Sequence, residues 1–118
     1  MITKELHFRY SAVNLKQAVY DIVNLIPYGR ATSYGAIAKA TGFPNLSRKV
    51  GKIMSECNSV ENGIPAHRVV NSQGILTAGD AFGSNGEMQK LLESEGITVD
   101  NNRIRDWKRV FWDPFKEL

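Results

Sequence analysis

The chain is poor in the residues that build covalent or metal-held folds. One cysteine, Cys57, stands among 118 residues, so no internal disulfide can form. The histidines and that cysteine show no zinc-ligand spacing, and no glycine-rich phosphate loop follows a strand pattern. No metal and no cofactor is therefore expected. No apolar run approaches the ~20 residues of a membrane span, which sets a membrane partner aside. The first residues, Met1-Ile2-Thr3-Lys4-Glu5, lack the apolar core and cleavage pattern of a signal peptide. With cysteine so scarce, the expectation is a cytoplasmic protein. Internal repeats and low-complexity tracts are missing too. The length bounds the chain to one domain over 1–118, and an apolar fraction of 42% suffices for a buried core.

Acid is also missing, in one place. Between Asp21 and Glu56 no Asp or Glu occurs, while Arg30, Lys39, Arg48, Lys49 and Lys52 supply base. Residues 1–60 hold eight Lys/Arg against three Asp/Glu; residues 61–118 hold seven against nine. Charge alone reads first as a solvated basic face. The alternative is a surface for a polyanion, since each phosphate neutralised releases condensed counterions.

What is present is punctuated helix. Asn14 followed by Gln17 predicts a capping-box start, and Ala18, Val19, Ile22, Val23 and Ile26 recur at helical spacing until Pro27 and Gly29 stop the helix. Ser33 predicts the cap of a short helix from Tyr34 to about Thr41, with Gly42 as its stop. Phe43-Pro44-Asn45 makes a turn. A further helix spans about Leu46 to Ser55, with Leu46, Val50, Ile53 and Met54 on one face and Arg48, Lys49 and Lys52 off it. Two short helices around a tight turn, the second amphipathic and basic, read as a helix-turn-helix over about 34–55. Asn71-Ser72-Gln73-Gly74 is a turn, Thr77 to Asn85 a flexible loop. Met88, Leu91 and Leu92 mark a helix from about Gly86 to Glu95, closed by Gly96. Ile97 to Ile104 predicts a small hairpin about Asn101-Asn102. The aromatic tail within 105–118, from Trp107 to Pro114, is expected to dock on the body.

Four blocks carry a resemblance that covers about residues 15–97. They are Ile26-Pro27-Tyr28-Gly29-Arg30-Ala31-Thr32-Ser33-Tyr34-Gly35; Ser47-Arg48-Lys49-Val50-Gly51; Asn58 with Ile64-Pro65-Ala66-His67-Arg68-Val69-Val70; and Leu91-Leu92-Glu93-Ser94-Glu95-Gly96. In order and near spacing they resemble the DNA O6-alkylguanine alkyltransferases, whose site segment reads Pro-Cys-His-Arg-Val. Alanine stands at the acceptor position, which points to the alkyltransferase-like group. The resemblance implies a mainly α fold with a small β element: one winged-helix-like domain with a helix-turn-helix, as in the alkyltransferase C-terminal domain.

It also implies roles. The helix-turn-helix would dock in the minor groove of duplex DNA bearing O6-alkylguanine, which must be extruded to be enclosed. Tyr34 matches the tyrosine that crowds the 3′ phosphate, and Arg48 the finger that enters the stack, where a planar guanidinium suits the vacated place. Ser33, Lys49 and Lys52 are further candidate DNA contacts. Pro65, Ala66, His67, Val69 and Val70 are the candidate alkylguanine pocket, roomier than with the tryptophan common in this group. His67 and Glu95 match a proton relay that makes a thiolate; without a thiol at 66 they are expected to be a buried structural pair, with Asn58 a structural hinge. No catalytic residue is expected, because a methyl side chain is no nucleophile. Cys57, with no adjacent base, reads as an inert small hydrophobe. The implied function is lesion binding without alkyl transfer, marking damage for nucleotide excision repair proteins, by a monomer that joins the nucleoid when DNA-bound. Two alternatives stand beside it: a methylated-DNA–protein-cysteine methyltransferase domain whose active-site Cys is replaced by Ala, and a helix-turn-helix transcription regulator reading the major groove.

Overall fold

The computed structural model describes residues 14–57, 62–77 and 85–117. Helix α1 (Leu15–Val23) buries Leu15, Ala18, Val19, Ile22 and Val23, the stripe its spacing predicts. Its start differs from expectation. Asn14 makes no side-chain cap bond, and Gln17 Nε2 instead donates to Asp21 Oδ1 one turn on, at 2.8 Å. The helix also stops at Val23 rather than Ile26. Leu25 and Ile26 turn back by single i→i−3 bonds to Ile22 and Val23, because the residue before Pro27 is pushed out of helical geometry.

The chain then forms β1 (Thr32–Ser33) and α2 (Tyr34–Thr41). Ser33 Oγ accepts from Ala36 N at 3.1 Å, the cap expected of it. At the far end Gly42 takes φ 93°, and Phe43 N donates to Ala38 O at 3.1 Å. That left-handed reversal is cheap only for glycine. A 3-10 turn (Pro44–Leu46) leads into α3 (Ser47–Ser55), one residue later than predicted because Leu46 belongs to the tighter turn. Val50 and Met54 are buried, and Leu46 and Ile53 pack beside them.

Sequence periodicity did not reveal the next pairing. Strand β2 (Val69–Val70) runs parallel to β1, with Thr32 opposite Val69 and Ser33 opposite Val70. Two-residue strands are too short to show a period of two. Helix α4 (Asn85–Ser94) buries Met88 and Leu92, while Leu91, at the edge of that face, is exposed. The predicted hairpin forms as β3 (Val99–Asp100) and β4 (Arg103–Ile104). Asn101 and Asn102 both hold positive φ, 52° and 64°, as a two-residue loop of this hand requires.

The tail docks, as expected. It forms α5 (Trp107–Val110) and α6 (Pro114–Glu117). Ala31 N donates to Val110 O at 3.2 Å and Trp112 N to Ala31 O at 2.7 Å, so the tail lies beside the strand that precedes the helix-turn-helix. Trp112 is buried with α1, α2 and α3; Val110 joins a second cluster with Met88, Leu92 and Ile104. Among the described residues no helix is long and apolar enough to cross a membrane.

Candidate functional site

The parallel pairing of β1 and β2 decides the geometry. It sets the start of α2 beside the segment Pro65–Val70, joining the two halves of the predicted site across 37 residues of sequence. The 3-10 turn over Ala66–His67–Arg68 lies directly before β2.

On the outer side, an open cleft of about 300 Å³ is lined by Tyr34, Gly35, Arg48, Gly51, Asn71 and Ser72, among others. Tyr34 and Arg48 thus share one cleft, formed between both helices of the helix-turn-helix and the Asn71–Gly74 turn. The Tyr34 hydroxyl shares a 2.8 Å hydrogen bond with Thr77 Oγ1. Burial pushes the Tyr34 phenol above its ordinary range, and the Thr77 bond pulls it partly back. A Cβ on Gly51, one turn from Arg48, would meet the Tyr34 ring at 3.9 Å. Arg48, Lys49 and Lys52 are exposed. Ser33 is nearly buried, with its hydroxyl occupied as the α2 cap.

On the inner side is a carboxylate with many donors. His67 Nε2 donates to Glu95 Oε2 at 2.6 Å, the pair expected from the sequence. Arg68 Nε donates to both Glu95 oxygens at 3.0 Å, and its Nη2 donates to Oε2 at 2.9 Å. Gly29 N donates to Oε1 at 2.8 Å. Arg68 Nη1 reaches Ile26 O at 2.8 Å. One side chain therefore holds the turn before the helix-turn-helix, the site segment and the end of α4. Burial works against the Glu95 charge, but bonds from Arg68, His67 and Gly29 hold the carboxyl below its usual range. Burial lowers the His67 imidazole, outweighing Glu95, which favours its cation, so the neutral imidazole is favoured.

Ala66 is fully buried in the main core. Val69 and Val70 are fully buried as well, and alternation sends them to opposite sides, Val69 into the main core and Val70 into the second. Pro65 alone of the five pocket candidates is partly exposed. Asn58 and most of the Thr77–Asn85 loop lie outside the described residues. Cys57 is buried, and burial raises its thiol despite a hydrogen bond from Tyr20 and the charge of Lys16. Among the described residues no group of three or more His, Cys, Asp and Glu is placed to hold a metal.

Sequence reasoning missed two arginines. Arg68 was read only as part of a motif, and its partner lies 27 residues away. Arg30 was counted with the basic stretch, yet its Nε and Nη2 donate to Val110 O (2.9 Å) and Phe111 O (2.6 Å). A further contact joins Arg30 to Glu117 at 3.3 Å. Arg30 clasps the tail. The one available signal was its place next to Ala31 in a strand-forming segment.

Comparison with known proteins then shows the family. The 6-O-methylguanine DNA methyltransferase, DNA binding domain, matches residues 14–97. Alkyltransferase-like protein 1 of Schizosaccharomyces pombe is 34% identical over 100 residues, 81% of this chain and 92% of that protein. A crystal structure of S. pombe Atl1 in complex with damaged DNA containing O6-carboxymethylguanine matches with a TM-score of 0.76 at 30% identity, covering 87% of this chain and 98% of that one. A DNA base-flipping protein of Vibrio parahaemolyticus is 33% identical over 97 residues, 81% of this chain and 93% of its own length. The bifunctional methyltransferase/endonuclease of Picrophilus torridus is 34% identical over 104 residues, 88% of this chain, but the chain spans only 34% of that protein.

Proposed function

Because the chain belongs to the family of the 6-O-methylguanine DNA methyltransferase DNA-binding domain, with an alkyltransferase-like sequence and fold, we propose that it is a reader of O6-alkylguanine that binds the lesion in duplex DNA and transfers nothing. The observation that carries this reading is Ala66, a methyl group sealed in the core next to an intact His67–Glu95 pair. The parts that would orient a nucleophile are present, and the nucleophile is not. The chain's one thiol, Cys57, is buried and held protonated, so no other sulfur takes the role.

Binding follows from the outer cleft. With α3 against the minor groove, Lys49 and Lys52 neutralise phosphate. Tyr34, anchored by Thr77, presses on the backbone beside the lesion. Arg48 enters the stack as the alkylated nucleotide turns out, its guanidinium stacking on bases and donating to the orphaned partner. The S. pombe structure with damaged DNA and the base-flipping name of the Vibrio relative support this sequence of events. Capture without repair is useful only when other proteins then act, which makes nucleotide excision repair proteins the expected partners and the cytoplasmic nucleoid the expected location.

A titration of matched duplexes with and without O6-methylguanine, followed by mass analysis of protein and DNA, tests the reading. Preference for the lesion with both masses unchanged is the expected result. Equal binding of both duplexes refutes lesion reading, and a methyl group found on the protein refutes the absence of transfer. Tight, lesion-independent binding to one operator-like sequence would identify a transcription regulator instead.

A further inference from the structure

A second groove, of about 390 Å³, adjoins the Tyr34–Arg48 cleft and shares Gly35 and Ser72 with it. Its other walls include Lys39, Trp107, Phe111 and Asp113. The floor is rigidly built. Trp107 Nε1 donates to Ser72 O at 3.1 Å, and Gly74 is so close that a Cβ there would meet the Trp107 ring at 3.1 Å. The Trp107 and Phe111 rings lie 5.3 Å apart, tilted by 52°. Lys39 holds its ammonium 4.8 Å from the Phe115 ring centre, and the Asp113 carboxylate accepts from Phe115 N, capping α6. Two aromatic rings beside an exposed cation make a surface for a nucleotide: ring faces for a sugar or base, ammonium for a phosphate.

We propose that this groove is a second contact for the DNA strand, holding a neighbouring nucleotide after the strand leaves the Tyr34–Arg48 cleft. The proposal rests on the lesion-reading function, and the shared walls at Gly35 and Ser72 supply the path between them. It gives the docked tail a binding role and Lys39 a phosphate to neutralise.

The test uses the whole protein, a lesion-bearing duplex and an intact one, over a series of salt concentrations. Lys39→Gln is expected to weaken lesion binding by about 3- to 10-fold at low salt and to reduce the slope of log affinity against log salt by about one. Lys39→Arg is expected to restore both. Trp107 is a built-in reporter, because the other tryptophan, Trp112, is buried in the core. Its emission should change when the lesion duplex binds, and the change should vanish in Trp107→Phe. If Lys39→Gln leaves the slope at the wild-type value, or Trp107 emission does not respond to bound DNA, the groove is not a DNA contact. If the wild type fails to distinguish lesion from intact duplex, the lesion-reading function itself falls.

Discussion

Replacing Glu95 by alanine should loosen the whole inner site. The substitution removes the acceptor for Arg68, His67 and Gly29 N together. Arg68 is the decisive partner. Its side chain is 16% exposed and that of Glu95 5%, so water can do little to replace the lost carboxylate. Removing one member of such a buried pair costs about 3–5 kcal/mol, because the other is left as an uncompensated charge. Native stability is commonly 5–15 kcal/mol, so this is a large share. For a chain of this length the thermal midpoint should fall by on the order of 10–20 °C. Glu95→Gln keeps an acceptor for Gly29 N but no charge for Arg68, and should fall between wild type and Glu95→Ala. In the Arg68→Met background, the alanine substitution should lose much of its effect, since no stranded guanidinium remains. Calorimetry of wild type, Glu95→Ala, Glu95→Gln, Arg68→Met and the Arg68→Met/Glu95→Ala double variant measures this. A Glu95→Ala midpoint within about 3 °C of wild type would refute the claim that Glu95 joins the two halves of the site.

Further outcomes follow from the same structure. The imidazole of His67 is lowered, so between pH ~6.5 and its folded-state value the unfolded chain binds more protons. Stability should then fall as pH drops below ~6.5, and again below ~4.3 as the unfolded Glu95 carboxyl takes up a proton that the folded one refuses; denaturant titrations at stepped pH should show both windows, with His67→Gln flattening the upper one. Arg48→Ala should leave the midpoint unchanged, since the side chain is exposed, yet weaken lesion-duplex binding by about 10-fold or more, with Arg48→Lys a poor substitute; equal affinity for wild type and Arg48→Ala would remove Arg48 from the interface. Gly74→Ala should destabilise by more than about 1 kcal/mol, because φ is 81° and the new methyl meets Trp107; its thermal midpoint and Trp107 emission report this directly. Among the described residues the Thr32 hydroxyl is buried with no hydrogen-bond partner, so Thr32→Val should be neutral or stabilising, by up to about 1–2 kcal/mol, and a loss of stability would show that the hydroxyl is satisfied.

The helix-turn-helix was legible because its signals are local. Ser33 and Gly42 bracket α2 with the cap and left-handed stop that their chemistry favours. Asn101-Asn102 likewise tolerates the positive φ that the hairpin needs. The His67–Glu95 pair came from motif resemblance, and geometry bears out the pairing. What stayed hidden depends on distance in sequence. Beyond the strand-forming segment beside it, Arg30 has no local signal for Val110, Phe111 or Glu117. Nothing near Trp107 announces Ser72. The basic stretch shows the same limit: Arg30 turned out to be a tail clasp and Lys39 a neighbour of Phe115, leaving Arg48, Lys49 and Lys52 as the open cationic face of α3. Val69 and Val70 were offered as pocket walls because they adjoin the motif; the structure buries both, Val69 in the main core and Val70 in the second, as in a strand between two cores.

On the proposed reading, an asymmetry of energies accounts for a site that keeps its relay without its nucleophile. Position 66 faces the apolar core, where a thiol and a methyl differ by one heavy atom, so exchanging them alters packing by no more than a small-cavity cost of about 1 kcal/mol. His67, Arg68 and Glu95 carry a different penalty. Each satisfies the others' buried polar atoms, and Glu95 also fixes Gly29, two residues before Ala31 bridges the tail. Losing any one strands its partners at several kcal/mol. Chemistry can therefore be deleted at 66 with the binding scaffold intact, whereas the relay residues cannot be deleted without it. The same argument predicts the behaviour of Ala66→Cys. The new thiol would sit in a buried, apolar place beside a neutral His67, so its pKa should be raised unless DNA binding changes that environment. Methyl transfer measured in single turnover with the lesion duplex, against reactivity toward a free thiol reagent, separates the two states. Transfer with DNA and silence without it would show that the retained network still activates a sulfur once the lesion is seated.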